Sequence, residues 1–217
     1  MPRLNPFAVT VLVLATGTTA VAEEFTIEKP KKDVIEYSPF INRSFPQHVY
    51  WGDTHLHTTY SPDAGMVGNF NLGPDDAYRF ARGEQVTANN AMQAKLVRPL
   101  DFLVVSDHSE YQGLMPELRG GNPDLLENEV GNRWYNWFNE GPDGQYRVFL
   151  EFAEDLNANE ARIPFADIAR STWDLMVETA DEYNEAGRFT AFVGYEWTST
   201  PRGNNLHRVV EIGRAHV

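Results

Sequence analysis

Three apolar, β-prone runs separated by helical patterns constrain the fold of this chain more than any other feature. They cover residues 49–51, 100–105 and 189–193. Between the first two runs, residues 74–82 begin with a proline and two acids and are followed by Gly83, which are helix start and stop signals. Before the third run, we expect Ser171 to cap a helix that ends near Gly187, with apolar positions spaced i, i+3, i+4, i+7. This β-α-β-α-β order predicts an α/β fold with parallel strands and right-handed crossovers.

The segments outside this alternation are assigned more simply. Residues 23–47 are polar and contain several prolines, so we expect an extended lead-in. Residues from about 113 to 165 are rich in Gly, Asn, Pro and Trp, which predicts a long insertion with one helix near 148–156. We expect the aromatic residues at 134, 135 and 137 to be part of a core rather than a substrate cleft.

The N-terminus has the pattern of a cleaved signal peptide over residues 1–22. Arg3 precedes an apolar run at 7–15, and Ala20-Val-Ala22 supplies a small-x-small cleavage site. The run is too short to span a bilayer, so we expect a periplasmic or secreted protein with no stable membrane anchor. The chain has no cysteine, which excludes a disulfide framework and thiolate ligands.

The C-terminus predicts a non-native tail over residues 211–217. Residues 212–217 match what a common short-read sequencing adapter encodes in one reading frame. The natural sequence is then expected to diverge near Val210, and His216 is not counted as a ligand.

The charge balance limits the partners of this chain. Its net charge is −13, and removal of residues 1–22 deletes one Arg and no acid. Such acidity argues against nucleic acid or an anionic membrane as a partner. A small anionic substrate remains compatible, because bound divalent metals reverse the local field.

Metal-ligand residue types recur at the ends of the predicted strands. They are Asp53, His55, His57 and Asp63 after the first strand, Asp107 and His108 after the second, and Glu196 and His207 after the third. In an extended His-x-His the two rings leave the same face, with Leu56 turned towards the core. Imidazoles with carboxylates suit zinc, manganese or iron rather than calcium. Spare acids such as Asp53 and Asp107 are expected to hold ring N–H groups.

Other interpretations of these residues remain open. An Asp-His pair after a strand also fits a helix cap, or the acid-base pair of a nucleophilic triad. The chain contains no Gly-x-Ser-x-Gly turn, which argues against a serine hydrolase. The three strand-end clusters together favour a metal site over a structural accident.

Several motifs carry a family resemblance. GDTHLHTTYSPDAG, FLVVSDHSEY and VGYEW with a later histidine resemble the polymerase-and-histidinol-phosphatase (PHP) superfamily. PDDAYRFARGE and RPLDFLVVSDHSEYQG are similar to its branch known as domain of unknown function family 3604. The resemblance covers about 49–113 and 188–210.

This resemblance implies that residues 48–210 are the N-terminal part of a distorted (β/α)7 PHP-type barrel with two or three divalent metal ions. By motif, His55 and His57 resemble ligands of one metal, and Glu196 resembles a bridge to a second. The remaining implied ligands are His207 at the second ion, and Asp63 and His108 at a third. Asp63 stands where some relatives have histidine. The superfamily also uses a later histidine and an Asp-x-His pair that this chain lacks, so we expect the chain alone to be inactive.

The expected function is that of an exported metal-dependent hydrolase. A metal-bridged hydroxide would attack a phosphoester, with Glu196 and Asp107 assigned as catalytic residues. Alternatives are hydrolysis of another ester or an amide by the same site, or a non-catalytic metal-binding module. We expect Arg202 to be a solvated loop charge rather than a substrate contact.

Overall fold

A four-stranded sheet organises residues 48–213, the part of the chain that the computed structural model describes. The predicted signal peptide, the polar lead-in and residues 214–217 lie outside the described residues. Together with its helices, the sheet forms a mixed α/β domain in which the strands curl as a half-barrel. The mixed α/β class is therefore as predicted.

The described strands are β1 Gly52–Leu56, β2 Val86–Thr87, β3 Gln93–Ala94, β4 Phe102–Val105, β5 Thr190–Ser199 and β6 Leu206–Ile212. In the main sheet they lie in the order β1-β4-β5-β6, and a separate small ribbon pairs β2 with β3. β1, β4 and β5 are parallel, which confirms the prediction from the alternating pattern. β6 is antiparallel to β5, a pairing that the sequence did not indicate.

The first strand lies three residues later than predicted. Residues 49–51 are exposed, and the amide of Trp51 donates to the Asp101 side chain at 2.7 Å instead of joining a strand ladder. The strand begins at Gly52, which is paired with Phe102 of β4. β-propensity alone placed the strand on the aromatic residues, whereas pairing with β4 places it on the residues that carry His55.

Seven helices fill the connections between the described strands. They are α1 Pro62–Val67, α2 Pro74–Ala81, α3 Leu114–Gly120, α4 Pro123–Glu127, α5 Glu129–Asn139, α6 Pro142–Ala158 and α7 Ala166–Tyr183. α2 agrees with the prediction. α7 is confirmed as a helix, but Ser171 does not cap it: the hydroxyl donates to the Ile168 carbonyl inside the helix. None of the described helices is long and apolar enough to cross a membrane.

The sheet packs its outer face against α2 and α7. Leu103, Val105, Ala191 and Val193 project from β4 and β5, and Tyr78 and Met176 cover them from the two helices. Trp173, Val177 and Tyr183 pack at the edge of this core, as the helical spacing predicted. The core fixes β4 and β5 side by side, and the chain beyond each of them reaches the same edge of the sheet.

The insertion is more helical than the sequence indicated, because the described residues between 113 and 165 contain four helices, α3–α6, rather than one. The predicted helix near 148–156 is the second half of α6. Two of its four prolines, which suggested loops, occupy the first position of α4 and of α6, and Asn122 and Asn128 cap α4 and α5. Trp134 is fully buried in the insertion's own core, as expected for a structural aromatic.

Two glycines give a test of how tightly this helical insertion is packed. At Gly131 in α5 an added Cβ would collide with the Leu125 carbonyl oxygen, whereas nothing lies within 4 Å of a Cβ at Gly120 in α3. We expect Gly131→Ala to lower the free energy of unfolding by about 1–3 kcal/mol, because the backbone cannot yield easily.

The matched control is Gly120→Ala, which should leave stability unchanged or raise it by up to about 1 kcal/mol, since alanine is the better helix former. Urea denaturation followed by circular dichroism measures both variants. Equal effects of the two substitutions would contradict the close approach of α5 to α4.

Candidate metal centre

The end of the sheet brings together all six residues predicted as metal ligands. β1 and the residue after it carry His55 and His57, the first turn of α1 carries Asp63, and the loop after β4 carries His108. Glu196 lies within β5, and β6 places His207 opposite Thr198 of the same strand. We expected Glu196 to follow its strand, but it lies inside the strand because β5 continues to Ser199. The four residues that lie on or after β1 and β4 reach the site because these parallel strands end at the same edge of the sheet.

The Glu196 carboxylate is the centre of the cluster. It is buried, with 1% of the residue exposed. Its Oε2 lies 2.9 Å from His55 Nε2, 2.6 Å from His57 Nε2 and 3.7 Å from His108 Nε2. The other oxygen, Oε1, lies 2.9 Å from His207 Nδ1. One carboxylate therefore contacts imidazoles from both sides of the sheet's end.

His57 has a buried ring nitrogen without a hydrogen bond. Its Nδ1 is hydrogen-bonded to Asp63, at 2.9 Å and 3.1 Å from the two oxygens. Its Nε2 lies 2.6 Å from Glu196 but forms no hydrogen bond with any described atom. In the neutral ring with Nδ1 protonated, Nε2 presents a lone pair towards a carboxylate oxygen. Two electron-rich atoms at that distance call for a cation between or beside them.

Three overlapping groups in the described part of the chain have the composition of a metal site. The ligand atoms of each group lie within 4.8 Å of one another: His55, His57 and Glu196; His57, Asp63 and His108; and His108, Glu196 and His207. Shared members join the three groups into one cluster of four imidazoles and two carboxylates. This donor set fits zinc, manganese or iron.

Two hydroxyl groups that the sequence analysis missed hold the ligands in place. The Ser61 hydroxyl donates to Asp63 at 2.6 Å and accepts from the His108 backbone N–H at 3.2 Å. The Thr198 hydroxyl lies 3.0 Å from His108 Nδ1 and 3.3 Å from His207 Nδ1. Thr198 is two residues after Glu196 in an extended strand, so the two-residue period could have identified it.

The two spare acids do not hold imidazole rings, contrary to expectation. Asp107 is fully buried and accepts hydrogen bonds from both the backbone N–H and the hydroxyl of Thr58. Its backbone carbonyl accepts from the Glu196 N–H at 3.1 Å. The Asp53 side chain accepts from the His55 backbone N–H at 2.8 Å. Asp107 thus ties the loop after β1 to β4 and β5, while its carboxylate faces Thr58 rather than the cluster.

The electrostatics of the cluster favour ionised acids. Burial opposes ionisation of Asp63, but the hydrogen bonds from His57 and Ser61 hold the pKa of Asp63 well below its usual range. Burial likewise opposes ionisation of Glu196, but its contact with His55 and the charges of the other histidines lower its pKa.

The histidines are affected in different directions. Burial acts to lower the pKa of His57, but the hydrogen bond to Asp63 and the charges of the nearby carboxylates together outweigh it and raise that pKa above 6.5. Burial lowers the pKa of His108. A neutral His108 is the form that binds a metal.

Two polar residues, His48 and Arg202, lie away from the cluster. His48 is exposed and its ring contacts Tyr50, with the ring centroids 6.5 Å apart. Arg202 is exposed on the short 3-10 turn between β5 and β6. The prediction of a solvated Arg202 agrees with this exposure.

The fold and site define an α/β protein with a candidate metal centre at the end of a partly parallel sheet. The chain belongs to the family described as protein of unknown function, DUF3604, whose model matches residues 44–216. The resemblance to this family, seen in the sequence motifs, is thereby confirmed. Comparison with curated proteins finds no match, and comparison with solved structures finds none either.

The buried Asp107 gives a pH-dependent prediction for the metal-free protein. Burial raises the pKa of Asp107 from 3.8 to about 6, although the hydrogen bonds from Thr58 oppose the shift. A raised folded-state pKa means that this group's stabilising contribution is present below pH 3.8 and is lost as the pH rises through 6.

Asp107→Asn removes this loss of stability, because asparagine does not ionise. In the presence of a chelator, the stability of the variant relative to wild type should therefore rise between pH 4 and pH 8. The expected rise is on the order of 3 kcal/mol. Urea unfolding across this pH range measures it, and a stability difference that does not change with pH would refute a raised pKa.

Proposed function

We propose that this chain is the metal-binding part of an exported metal-dependent hydrolase that acts on phosphoesters. One observation carries the proposal: four histidines and Asp63 form a cluster with the buried Glu196 carboxylate, and His57 directs a nitrogen without a hydrogen bond into this cluster. In a histidine cluster with a purely structural role, such a buried nitrogen would be expected to form a hydrogen bond. A metal centre leaves it free for an ion.

Two or three divalent ions, of zinc, manganese or iron, would be held by His55, His57, Asp63, His108, Glu196 and His207. When bound, such ions lower the pKa of a coordinated water and offset charge on a phosphoryl group. Glu196 belongs to two of the three groups and offers one oxygen to each side, which suits a bridging ligand. Its position between the groups supports catalysis over simple metal storage.

The surrounding residues fix the protonation and orientation of the ligands. Asp63 accepts a hydrogen bond from the Nδ1–H of His57, which leaves Nε2 as the ligand atom. The Thr198 hydroxyl orients His108 and His207 together. Asp107 acts through the backbone in this proposal, because its oxygens are both occupied by Thr58.

The wider setting belongs to the same proposal. The proposal includes three further points that rest on the sequence motifs. They are membership of the PHP superfamily, a (β/α)7 barrel to which this half-barrel would contribute, and export through residues 1–22. A small anionic substrate is compatible with the chain's charge of −13 only if bound metal offsets it locally. The same acidity supports the expectation that nucleic acid is not a partner.

Metal content tests the first half of the proposal. We expect the purified chain, reconstituted with zinc, manganese or iron and desalted, to retain about two to three equivalents, as in multinuclear hydrolases. The double variant His55→Ala/His57→Ala should lose most of this metal, because both rings contact Glu196.

His48→Ala is the matched control, because His48 is exposed and lies outside the cluster. Plasma mass spectrometry gives the stoichiometry. Absence of bound transition metal in the wild-type chain after reconstitution would reject the metal centre.

Hydrolysis of nitrophenyl esters tests the second half. We expect metal-loaded protein that includes the further ligands implied by the PHP resemblance to release nitrophenol from nitrophenyl phosphate. Glu196→Gln should reduce its kcat/KM by at least about 100-fold, since loss of one preorganised charge costs this much. Nitrophenyl acetate and a nitroanilide test the alternatives. Preferential cleavage of either would indicate an ester or amide hydrolase, and bound metal without any hydrolysis would indicate a non-catalytic module.

A further inference from the structure

An apolar groove leads away from the metal-ligand cluster. A cavity of about 360 Å³ borders Asp63, His108 and His207, and α6 forms one wall with Phe149, Phe152 and Leu156. The opposite wall comes from the turn between β5 and β6, which is fixed to α6 by a hydrogen bond of 3.0 Å from the Thr200 hydroxyl to the Leu156 carbonyl. Among the cavities lined by described residues, this one adjoins the cluster on the side of His207.

Aromatic side chains continue along one face of α6. Tyr146, Phe149 and Phe152 are three residues apart, and each neighbouring pair has ring centroids 6.4 Å apart. The exposed fraction of these residues rises from 8% at Phe152 to 44% at Phe149 and 61% at Tyr146. The row therefore extends from the buried cavity beside the cluster to the protein surface.

A second cavity prolongs the first. It has a volume of about 470 Å³ and is lined by Met66, Val67 and Tyr146, among others. Asp63 and Phe149 line both cavities, so the two are adjacent. Val67 is 84% exposed although its neighbour Met66 is buried, which leaves an apolar surface opposite the aromatic row.

The charged residues of the groove are acids and histidines. Among the described residues that line the two cavities there is no Lys or Arg, while Asp63 and Glu110 are both present. Glu110 Oε2 is buried and has no hydrogen-bond partner among the described atoms. A negatively charged group beyond the cluster would meet these carboxylates without a compensating cation, whereas an apolar group would lose only water.

We propose that the substrate's alcohol part is neutral and apolar, an aryl or alkyl group that lies along the row from Phe152 to Tyr146. This rests on the proposed function, since the phosphoryl group must bind at the cluster. In the hydrolysis, water's oxygen bonds to phosphorus, the P–O bond to the alcohol breaks, and the alcohol departs with one of water's protons. Only the phosphoryl group carries charge, and it stays at the metal-ligand end.

A series of 4-alkylphenyl phosphates tests the inference on the same metal-loaded protein, with the further implied ligands included. Phenyl, 4-ethylphenyl and 4-butylphenyl phosphate have leaving groups of similar acidity and differ mainly in apolar length. We expect kcat/KM to rise about 2- to 4-fold for each added methylene, the gain for burying it wholly or in part. Phe149→Ala should reduce this dependence on length to less than half while metal content stays unchanged.

Leu150→Ala is the matched control variant. Leu150 is the next residue in α6 and is 45% exposed, close to the 44% of Phe149, but it lines neither cavity. It should keep the full dependence on alkyl length. A rate that is independent of alkyl length in the wild-type chain would overturn the apolar groove and leave the proposed phosphoesterase intact.

Binding of 4-butylphenol, measured by calorimetry, separates the two ideas if no phosphoester is cleaved. Absence of cleavage counts against the proposed function and the substrate assignment built on it. Binding that is weakened several-fold by Phe149→Ala and not by Leu150→Ala would then support an apolar ligand in the groove. No detectable binding of 4-butylphenol by the wild type or either variant would overturn the apolar groove as well.

Discussion

The buried Glu196 carboxylate is the constraint on which the rest of this structure depends. An unpaired charge in a protein interior costs several kcal/mol, so it persists only where partners surround it. Here the partners are the rings of His55, His57 and His207 at 2.6–2.9 Å, with His108 farther away. They come from both flanks of the central strand, so the sheet order, the loops and the returning β6 all have to be in place before the carboxylate is compensated.

The sheet is packed closely next to this residue. An added Cβ on Gly194, two residues before Glu196 in β5, would lie 2.5 Å from Val104 Cγ1 and 2.8 Å from the Val210 carbonyl oxygen. The absence of a side chain there allows β4, β5 and β6 to approach one another where the site begins. Asp107 adds a link by fixing Thr58 with its side chain and the Glu196 N–H with its backbone. Ligand positions are therefore set mainly by backbone pairing.

The sequence predicted the site more fully than the fold. His55, His57, Asp63, His108, Glu196 and His207 all enter the cluster, because ligand types after parallel strands are brought to one edge by topology alone. The expected ring contact of Asp107 was wrong. A spare acid beside a histidine indicates such a contact, but Asp107 instead binds Thr58, 49 residues earlier in the chain. The Thr198 hydroxyl was overlooked although its spacing from Glu196 was visible.

The helical insertion was the least predictable region, and the reason is physical. Its prolines and asparagines are helix-start residues as well as loop formers, and composition cannot separate the two uses. Its helices are stabilised by burial of Trp134, Leu114 and Val148 against one another, a tertiary effect. β6 was missed for a related reason, since its exposed residues gain strand geometry from pairing with β5.

The domain has two separate hydrophobic cores, one beneath the sheet and one within the helical insertion. The first positions the metal-ligand residues, whereas α6 of the second supplies a wall of the adjoining groove. The two parts can accordingly diversify at different rates. Substitutions on α6 would reshape what is accepted next to the cluster, and the set of ligand atoms would stay as it is. A domain built this way can vary the surface beside its candidate metal centre without altering the centre itself.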